Sequence, residues 1–213
     1  MKPSIKRILT NLESLYPYDD SCFLNYDKDQ SWQLLFATIL SAQCTDACVN
    51  IVTATLFKQF PTLESFAEAD IGEIEKIIRP TGFFRMKAKH LQNSAGKLLM
   101  EFGGVVPSDM ESLTSLSGVG RKTANVVRCH VFSIPSITVD THVGRVSKRL
   151  GLTENTDPVK AEFDLMKILP QKSWMAYNQQ IINHGRQVCA SRNPKCGECL
   201  LKANCRHFKI STY

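Results

Sequence analysis

The sequence lacks the long apolar segment that a membrane protein needs. No stretch of its 213 residues approaches the roughly 18 consecutive apolar residues of a transmembrane helix, so we expect no membrane span. The first residues predict no signal peptide, since Ser4–Leu15 is amphipathic rather than uniformly apolar. Repeats and low-complexity segments are also missing from the sequence. These absences favour a globular protein that resides in the cytoplasm.

The sequence also lacks an excess of acidic residues. It has 26 Lys and Arg against 20 Asp and Glu, which gives a formal net charge of +6. A simple ferredoxin-type electron carrier would be acidic, so this balance argues against that class. The positive excess favours an anionic partner only weakly, because many soluble proteins without such a partner are mildly basic.

Alternating strand patterns are scarce, whereas apolar residues recur at helical spacing along most of the chain. These patterns predict an all-α protein of roughly ten helices. Capping residues place predicted helix starts at Ser31, Thr45, Asp70, Ser108, Asp157 and Ser173. Gly103-Gly104 ends the longest predicted helix, which begins near Arg85. The segment 134–139 resembles a strand, but Pro135 favours a linker there.

Half of the eight cysteines lie together near the end of the sequence. Their spacing is C-x6-C-x2-C-x5-C, formed by Cys189, Cys196, Cys199 and Cys205. Four thiolates can hold a tetrahedral zinc ion or an iron–sulfur cluster, and the spacing matches neither the usual paired zinc pattern nor the ferredoxin patterns. The other cysteines are scattered singly, as in a protein of a reducing compartment. Arg192 and Lys195 lie between the first two ligands, where they either contact phosphates or are solvated.

A glycine-rich turn lies between two predicted helices at residues 116–122, Leu-Ser-Gly-Val-Gly-Arg-Lys. Glycine permits a tight turn and lets a ligand approach the backbone closely. The N–H groups and the dipole at the start of the following helix suit a phosphate. By itself, this motif is equally typical of a tight corner between two helices.

Lys122 lies in the first turn of the helix after this hairpin, where a cation opposes the helix dipole. It is therefore either a phosphate-binding or solvated lysine, or a nucleophile. A free lysine has a pKa of about 10.4, so a nucleophile requires the dipole, partial burial and Arg121 to lower it. Asp140 is a good helix N-cap. It has a chemical role only if it accepts a proton or stabilises developing positive charge.

Four motifs occur in a characteristic order: S-A-Q-C-T-D at 41–46, L-S-G-V-G-R-K-T-A-N-V-V, V-D-T-H-V and the cysteine pattern. Together they resemble the endonuclease III family of helix–hairpin–helix DNA glycosylases, and the resemblance covers nearly the whole chain. It implies two all-α domains with a DNA-binding cleft between them. One is a six-helix barrel at 24–134, and the other is an iron–sulfur helical domain built from 1–23 and 135–213.

The resemblance also implies an activity and a set of site residues. The expected enzyme is a bifunctional DNA glycosylase and AP lyase that removes oxidised pyrimidines from double-stranded DNA and nicks the abasic site by β-elimination. Lys122 is then the nucleophile that forms a Schiff base, Asp140 is the catalytic carboxylate, and the four cysteines hold a [4Fe–4S] cluster. Gln43 fills the gap left by the extruded nucleotide, and Phe83 is a wedge on the opposite strand. The other expected DNA-binding residues are Gly118, Val119, Gly120, Arg121, Arg192 and Lys195.

Three positions depart from the family pattern. Ser117 stands where members commonly have proline, and Cys44 and Met86 occupy places often held by other small or polar residues. These departures leave the lesion spectrum open. Two rival functions share parts of this pattern: a monofunctional adenine or thymine-mismatch glycosylase, whose members lack a lysine at the position of Lys122, and a non-catalytic DNA-binding module. We expect a monomer that acts on damaged or abasic DNA in the cytoplasm, in association with the nucleoid.

Overall fold

The structure is a computed structural model that describes residues 3–211, and the regular secondary structure of these residues consists of helices with no strand. The α-helices in the described part are α1 (Pro3–Leu15), α2 (Ser31–Leu40), α3 (Asp46–Gln59), α4 (Leu63–Ala67), α5 (Ile71–Ile78), α6 (Phe84–Phe102), α7 (Met110–Thr114), α8 (Arg121–His130), α9 (Thr141–Leu150), α10 (Pro158–Ile168), α11 (Trp174–Gln187) and α12 (Arg206–Ser211). No helix within residues 3–211 combines the length and apolarity needed to cross a bilayer. The predicted all-α fold is confirmed.

The chain divides into two compact units. The first consists of Met1–Asp20 with Pro135–Tyr213, and the second of Ser21–Ile134. The second unit is therefore one continuous segment, inserted into the first. Its limits lie close to the range 24–134 expected for a helical barrel.

The core of the central unit forms around α6, the longest helix. Helices α4 and α5 both pack against it. An aromatic cluster fills the adjoining space, where the ring centroid of Trp32 lies 5.4 Å from that of Phe36 and 5.5 Å from that of Phe66. All three side chains are buried, and such edge-to-face pairs add about 0.5–1.5 kcal/mol beyond the area they bury. This packing makes α6 a rigid support for the loops that contact it.

The core of the other unit joins elements from both ends of the chain. Ile8 and Leu12 of α1 share one buried cluster with residues of α9 and α11 and with Leu201 of the cysteine-rich tail. Asn11 also donates a hydrogen bond to the Leu200 carbonyl at 3.2 Å. The tail is therefore packed on a core to which α1 contributes, although most of its residues lie in turns.

Several helix boundaries differ from the sequence prediction. Gln30 is the N-cap residue before α2, and Ser31 is the first residue of the helix. Asp109 caps α7 instead of Ser108, because its carboxylate accepts a 2.8 Å bond from the Ser112 N–H. Helices α4 and α12 were not predicted, since each is too short for its apolar spacing to stand out. The segment 134–139 contains no strand, as the linker interpretation predicts.

Candidate functional site

The glycine-rich hairpin joins α7 to α8, and Gly118 is essential to its shape. Gly118 has φ +77°, a left-handed backbone conformation that residues other than glycine rarely adopt. A Cβ atom at this position would lie 2.7 Å from Cγ of His90. Gly118 is therefore required both by its backbone and by the close approach of α6.

Helix α6 holds the hairpin with three side chains from one face. The His90 ring and the Ser117 hydroxyl lie 2.9 Å apart at Nδ1 and Oγ. Ser94 donates a 2.9 Å bond to the Ser117 carbonyl, and Lys97 donates a 3.2 Å bond to the Ser115 carbonyl. The spacing of four and then three residues along α6 brings these three side chains together. The hydroxyl of Ser117 thus attaches the turn directly to α6.

The two hairpin residues that follow Gly118 have opposite environments. Val119 is buried, and its N–H donates a 3.2 Å bond to the Leu116 carbonyl. Val119 therefore anchors the hairpin in the core, and its expected role as a DNA contact stays a prediction. Gly120, the N-cap residue of α8, has φ −92°, and an added Cβ would meet no atom within 4 Å. Within residues 3–211, no atom would clash with a side chain at position 120, and the backbone there is open to approach.

The contrast between the two glycines gives a matched pair of variants. We expect Gly118→Ala to lower the free energy of unfolding by about 2–3 kcal/mol, because it combines a left-handed backbone with the His90 contact. Gly120→Ala should change stability by less than about 0.5 kcal/mol and weaken DNA binding about tenfold, since the methyl group hinders phosphate approach. Urea unfolding and fluorescence anisotropy measure the two effects. Equal DNA affinity for Gly120→Ala and the parent would contradict a phosphate contact at this backbone.

Lys122 is the second residue of α8, and its side chain is exposed. The partial burial expected of a nucleophilic lysine is therefore absent from this structure. The position still opposes the helix dipole, and Arg121 immediately precedes it. Lys122 is thus a solvent-accessible amine directly after the glycine-rich hairpin.

Gln43 and Phe83, the two residues expected to enter the DNA helix, share an unusual backbone conformation. Gln43 has φ +54° and Phe83 has φ +48°, left-handed values that cost a non-glycine residue about 1 kcal/mol or more. Both side chains are exposed, and Phe83 presents 61% of its surface to solvent. Strained residues that expose a side chain are enriched at functional sites. Each therefore occupies a loop tip suited to contact a partner.

Two arginines near Phe83 were missed by sequence reasoning. The guanidinium carbon of Arg79 lies 6.0 Å from the ring centroid of Phe84, and that of Arg85 lies 5.5 Å from it. Both arginines are exposed. They bring two positive charges to the loop that carries Phe83, as suits contact with a polyanion. The sequence contains many basic residues, and the contacts with Phe84 that distinguish these two arginines are known only from the fold.

Asp140 lies in the other unit, at the start of α9. Its Oδ1 accepts a 2.7 Å hydrogen bond from the Val143 N–H, so the predicted N-cap is present. The residue is half-buried. The cap uses one of the two carboxylate oxygens and fixes the orientation of the group. A structural role for Asp140 is therefore certain, and any chemical role has to be compatible with it.

The four clustered cysteines surround a common cavity in this same unit. Their side chains line it together with Val146, Leu150 and Phe208, and with the basic residues Arg149, Lys195 and Lys202. Within residues 3–211, no three His, Cys, Asp or Glu side chains converge on a point that would hold one metal ion. The four cysteines nevertheless line one and the same cavity. Four cysteine donors around one cavity fit an iron–sulfur cluster, and the basic lining suits the negative charge of the four thiolates.

Cys199 lies within electrostatic range of the other three cysteines of the group. Burial raises the pKa of the Cys199 thiol, and the nearby charges of Cys189, Cys205 and Cys196 raise it further, while a backbone hydrogen bond from Leu201 lowers it. Grouped thiolates without a cation therefore repel one another. Because metals bind the thiolate form, a bound cationic centre would remove this repulsion.

Helix α9 supports the first cysteine of the group with two arginines. Arg145 donates bonds of 3.3 and 3.1 Å to the Cys189 carbonyl, through Nε and Nη2. Arg149 donates to the Cys189 sulfur at 3.3 Å and to the Ala190 carbonyl at 2.7 Å. These contacts hold the start of the cysteine-rich segment against α9. Arg192 and Lys195, further along this segment, are exposed and available to an outside partner.

Comparison with known proteins decides the family. The sequence pattern described as HhH-GPD superfamily base excision DNA repair protein matches residues 36–171. Endonuclease III of Synechocystis sp. is 52% identical over 211 residues, which cover 99% of this chain and 95% of that protein. The chain belongs to the endonuclease III family. Endonuclease III of Bacillus subtilis is 40% identical over 203 residues, 95% of this chain and 91% of the relative.

Solved structures of the family agree with this assignment. A trapped covalent intermediate of endonuclease III with DNA superimposes with a TM-score of 0.91, at 39% identity and with 100% of both chains covered. A thermostable thymine-DNA glycosylase shares the fold, with a TM-score of 0.79 at 23% identity over 97% of this chain and 95% of that one. This member of the endonuclease III family is a DNA-binding base excision repair glycosylase with AP lyase activity.

Proposed function

We propose that the enzyme excises oxidised pyrimidines and cleaves the abasic site through a Schiff base on Lys122. The observation that carries the assignment is the position of Lys122, an exposed amine two residues after Gly120 in a hairpin fixed to α6. A phosphate seated on this hairpin would bring the sugar of the same strand close to the amine. The covalent endonuclease III–DNA intermediate that superimposes on this chain also supports a nucleophilic mechanism.

In the proposed reaction, the neutral Lys122 amine attacks C1′ of the damaged nucleotide as the glycosidic bond to the base breaks. Loss of a proton from nitrogen and opening of the sugar ring give an imine between Lys122 and C1′. The imine makes the C2′ proton acidic. Removal of that proton drives β-elimination, which breaks the bond to the 3′ phosphate and leaves a nicked strand. Water then releases the sugar fragment and regenerates the amine.

Asp140 is proposed as the carboxylate of this reaction. Its N-cap bond to Val143 orients the side chain, so a substrate would meet a carboxylate already held in one position. A carboxylate there either accepts the proton that the lysine loses or stabilises positive charge on the sugar as the base departs. Both roles need the negative charge of Asp140, whereas the cap needs only an oxygen acceptor.

Gln43 and Phe83 are proposed to act in base extrusion. An enzyme that acts on a base has to take it out of the stack, at a cost of a few kcal/mol. An apolar side chain that enters a base step, as Phe83 would, and a polar side chain that fills the vacated space, as Gln43 would, both offset this cost. Their exposed positions at strained loop tips support these roles.

The cysteine group is proposed to hold a [4Fe–4S] cluster. Cys189, Cys196, Cys199 and Cys205 would be its ligands, and the thiol donors around one cavity fit such a group. When bound, the cluster would cross-link four points of a segment that otherwise consists of short turns. Arg192 and Lys195 would then be presented to DNA phosphates from a rigid loop.

The proposed substrate is double-stranded DNA that contains a damaged pyrimidine or an abasic site, and the proposed working form is a monomer in the cytoplasm. The function is tested with duplexes that contain one thymine glycol, one adenine mismatch or one thymine mismatch. We expect base release and strand cleavage on the thymine glycol duplex, at a rate at least about a hundredfold above either mismatch. Preferred action on a mismatch, with base release and no strand cleavage, would overturn the proposal.

A further inference from the structure

Lys87 is a buried lysine that bonds to two separate loops. Only 4% of its surface is exposed. Its Nζ donates to the Leu40 carbonyl and to the Thr81 carbonyl, at 2.8 Å in both cases. Burial of an ammonium group is costly unless it is well hydrogen-bonded. A lysine that satisfies two carbonyls so far apart in sequence therefore holds two chain segments together.

The two carbonyls belong to the loops that carry Gln43 and Phe83. Leu40 ends α2, and the next four residues form a turn closed by a 3.1 Å bond from the Cys44 N–H to the Ser41 carbonyl. Gln43 is the left-handed residue inside that turn. One ammonium group thus fixes the position where the Gln43 loop begins.

The Phe83 loop is attached to Lys87 at two points. The ammonium of Lys87 bonds to Thr81, two residues before Phe83, while the backbone N–H of Lys87 donates a 3.1 Å bond to the Phe83 carbonyl. Thr81 is itself buried, and its hydroxyl donates a 2.8 Å bond to the Ile78 carbonyl. Lys87 therefore holds the backbone on both sides of a residue in a strained conformation.

The surroundings of Lys87 contain thiols and carbonyls. Burial lowers the pKa of Lys87, and the charges of Cys44 and Cys48 raise it. The Cys48 thiol donates a 3.6 Å bond to the Pro80 carbonyl, which joins the start of α3 to the same loop as Thr81. The Cys48 bond does not replace the ammonium group of Lys87, because among residues 3–211 the Nζ of Lys87 bonds to the backbone of both loops at once.

We propose that Lys87 is a positioning residue for base extrusion, which sets the spacing between the Gln43 loop and the Phe83 loop. A gap-filling side chain and a wedge act on neighbouring positions of one duplex, so the distance between them has to match the opened base step. This inference rests on the extrusion roles proposed above for Gln43 and Phe83. It assigns Lys87 no contact with DNA.

The test compares a substrate that needs full extrusion with one that needs less. Cleavage is measured on a duplex with a paired thymine glycol and on the same duplex with a preformed abasic site, where no base has to leave the stack. We expect Lys87→Met to slow the first reaction about thirtyfold and the second by less than about threefold. Lys89→Met, which removes an exposed lysine of the same helix, is the matched control and should leave both rates nearly unchanged.

A spectroscopic measurement reports the opening of the base stack at the lesion. 2-Aminopurine placed opposite the lesion becomes fluorescent when it loses its stacking. We expect the fluorescence increase on binding of Lys87→Met to be less than half that of the parent at saturating protein. An unchanged increase would overturn the inference, since a merely destabilised protein would still unstack the base once bound.

Variants of the two loops separate this inference from the proposed function. Gln43→Ala and Phe83→Ala should each lower the ratio of the cleavage rate on thymine glycol to the cleavage rate on the abasic site. Adding Lys87→Met to the double variant Gln43→Ala/Phe83→Ala should lower this ratio little further, because all three residues act on one step. If the loop variants lower the ratio and Lys87→Met does not, the inference fails alone. If the loop variants leave the ratio unchanged, the extrusion roles fail and the inference fails with them.

The stability of the variants is controlled separately. Each variant is first examined by thermal unfolding, and cleavage is measured well below its midpoint. If Lys87→Met is not obtained folded, Lys87→Arg serves in its place, since it keeps the charge while its larger planar group displaces the donor. The same selective loss, smaller in size, is then expected. Equal slowing of both substrates by either variant would contradict the positioning role.

Discussion

Lys122→Ala is expected to abolish strand cleavage at abasic sites, with a loss of about a thousandfold or more, because no other group of α8 replaces the nucleophile. DNA affinity should fall less than about tenfold, since the hairpin backbone and Arg121 remain. The side chain is exposed, so the free energy of unfolding should stay within about 0.5 kcal/mol of the parent value. Gel analysis of nicked oligonucleotides and fluorescence anisotropy measure the two properties. Cleavage at more than a tenth of the parent rate would exclude Lys122 as the nucleophile.

Asp140→Asn is the informative control for Lys122→Ala. Asparagine is as good an N-cap as aspartate, so the bond to Val143 and the start of α9 should survive while the charge is lost. We expect base release to slow much more than cleavage of a preformed abasic site, which has no base to expel. Asp140→Ala removes the cap as well, and the additional loss of stability, about 1 kcal/mol, separates the structural role from the chemical one.

Removal of one cluster ligand should have the second largest effect. We expect the parent protein to be brown and to contain roughly four iron and four sulfide per chain, and Cys199→Ser to lose most of both. The tail shares a core with α1, so its disorder should also lower stability by several kcal/mol. DNA affinity should drop at least about tenfold as the loop with Arg192 and Lys195 loosens. Iron and sulfide analysis, visible absorption and anisotropy provide the measurements.

The control for Cys199→Ser is Cys22→Ser. Cys22 is partly buried in the other unit and is not part of the cysteine group, so its substitution should leave iron and sulfide unchanged. A colourless parent protein with one zinc per chain would contradict the cluster assignment. Equal iron loss in both variants would mean that the metal content does not report on the four proposed ligands.

The local features of the site were predictable because short sequence patterns determine them. Asp140 as an N-cap and the turn before α8 both follow from residue type and immediate neighbours. Sequence patterns could not separate Gly118 from Gly120. Only the fold shows that Gly118 lies against His90, whereas the space beside Gly120 is open.

The features that sequence reasoning missed depend on contacts between distant segments. The bonds of Lys87 span 47 and 6 residues, and helical spacing can place Lys87 on the buried face of α6 without showing which carbonyls its ammonium group reaches. The burial of the Val119 side chain also depends on the fold, because the hairpin turns this side chain into the core. Helical spacing predicts which face is apolar, and it does not predict which loop that face supports.

The central claim is that Lys122 bonds covalently to the sugar of damaged DNA, and reductive trapping tests it most directly. The native protein is mixed with a duplex that contains one abasic site, in the presence of sodium borohydride, which reduces an imine to a stable amine. A covalent complex that forms with the native protein, is missing with Lys122→Ala and maps by mass spectrometry to the peptide containing Lys122 is the predicted result. A native protein that nicks the abasic site and cannot be trapped, or a cross-link that maps to another residue, would contradict the mechanism.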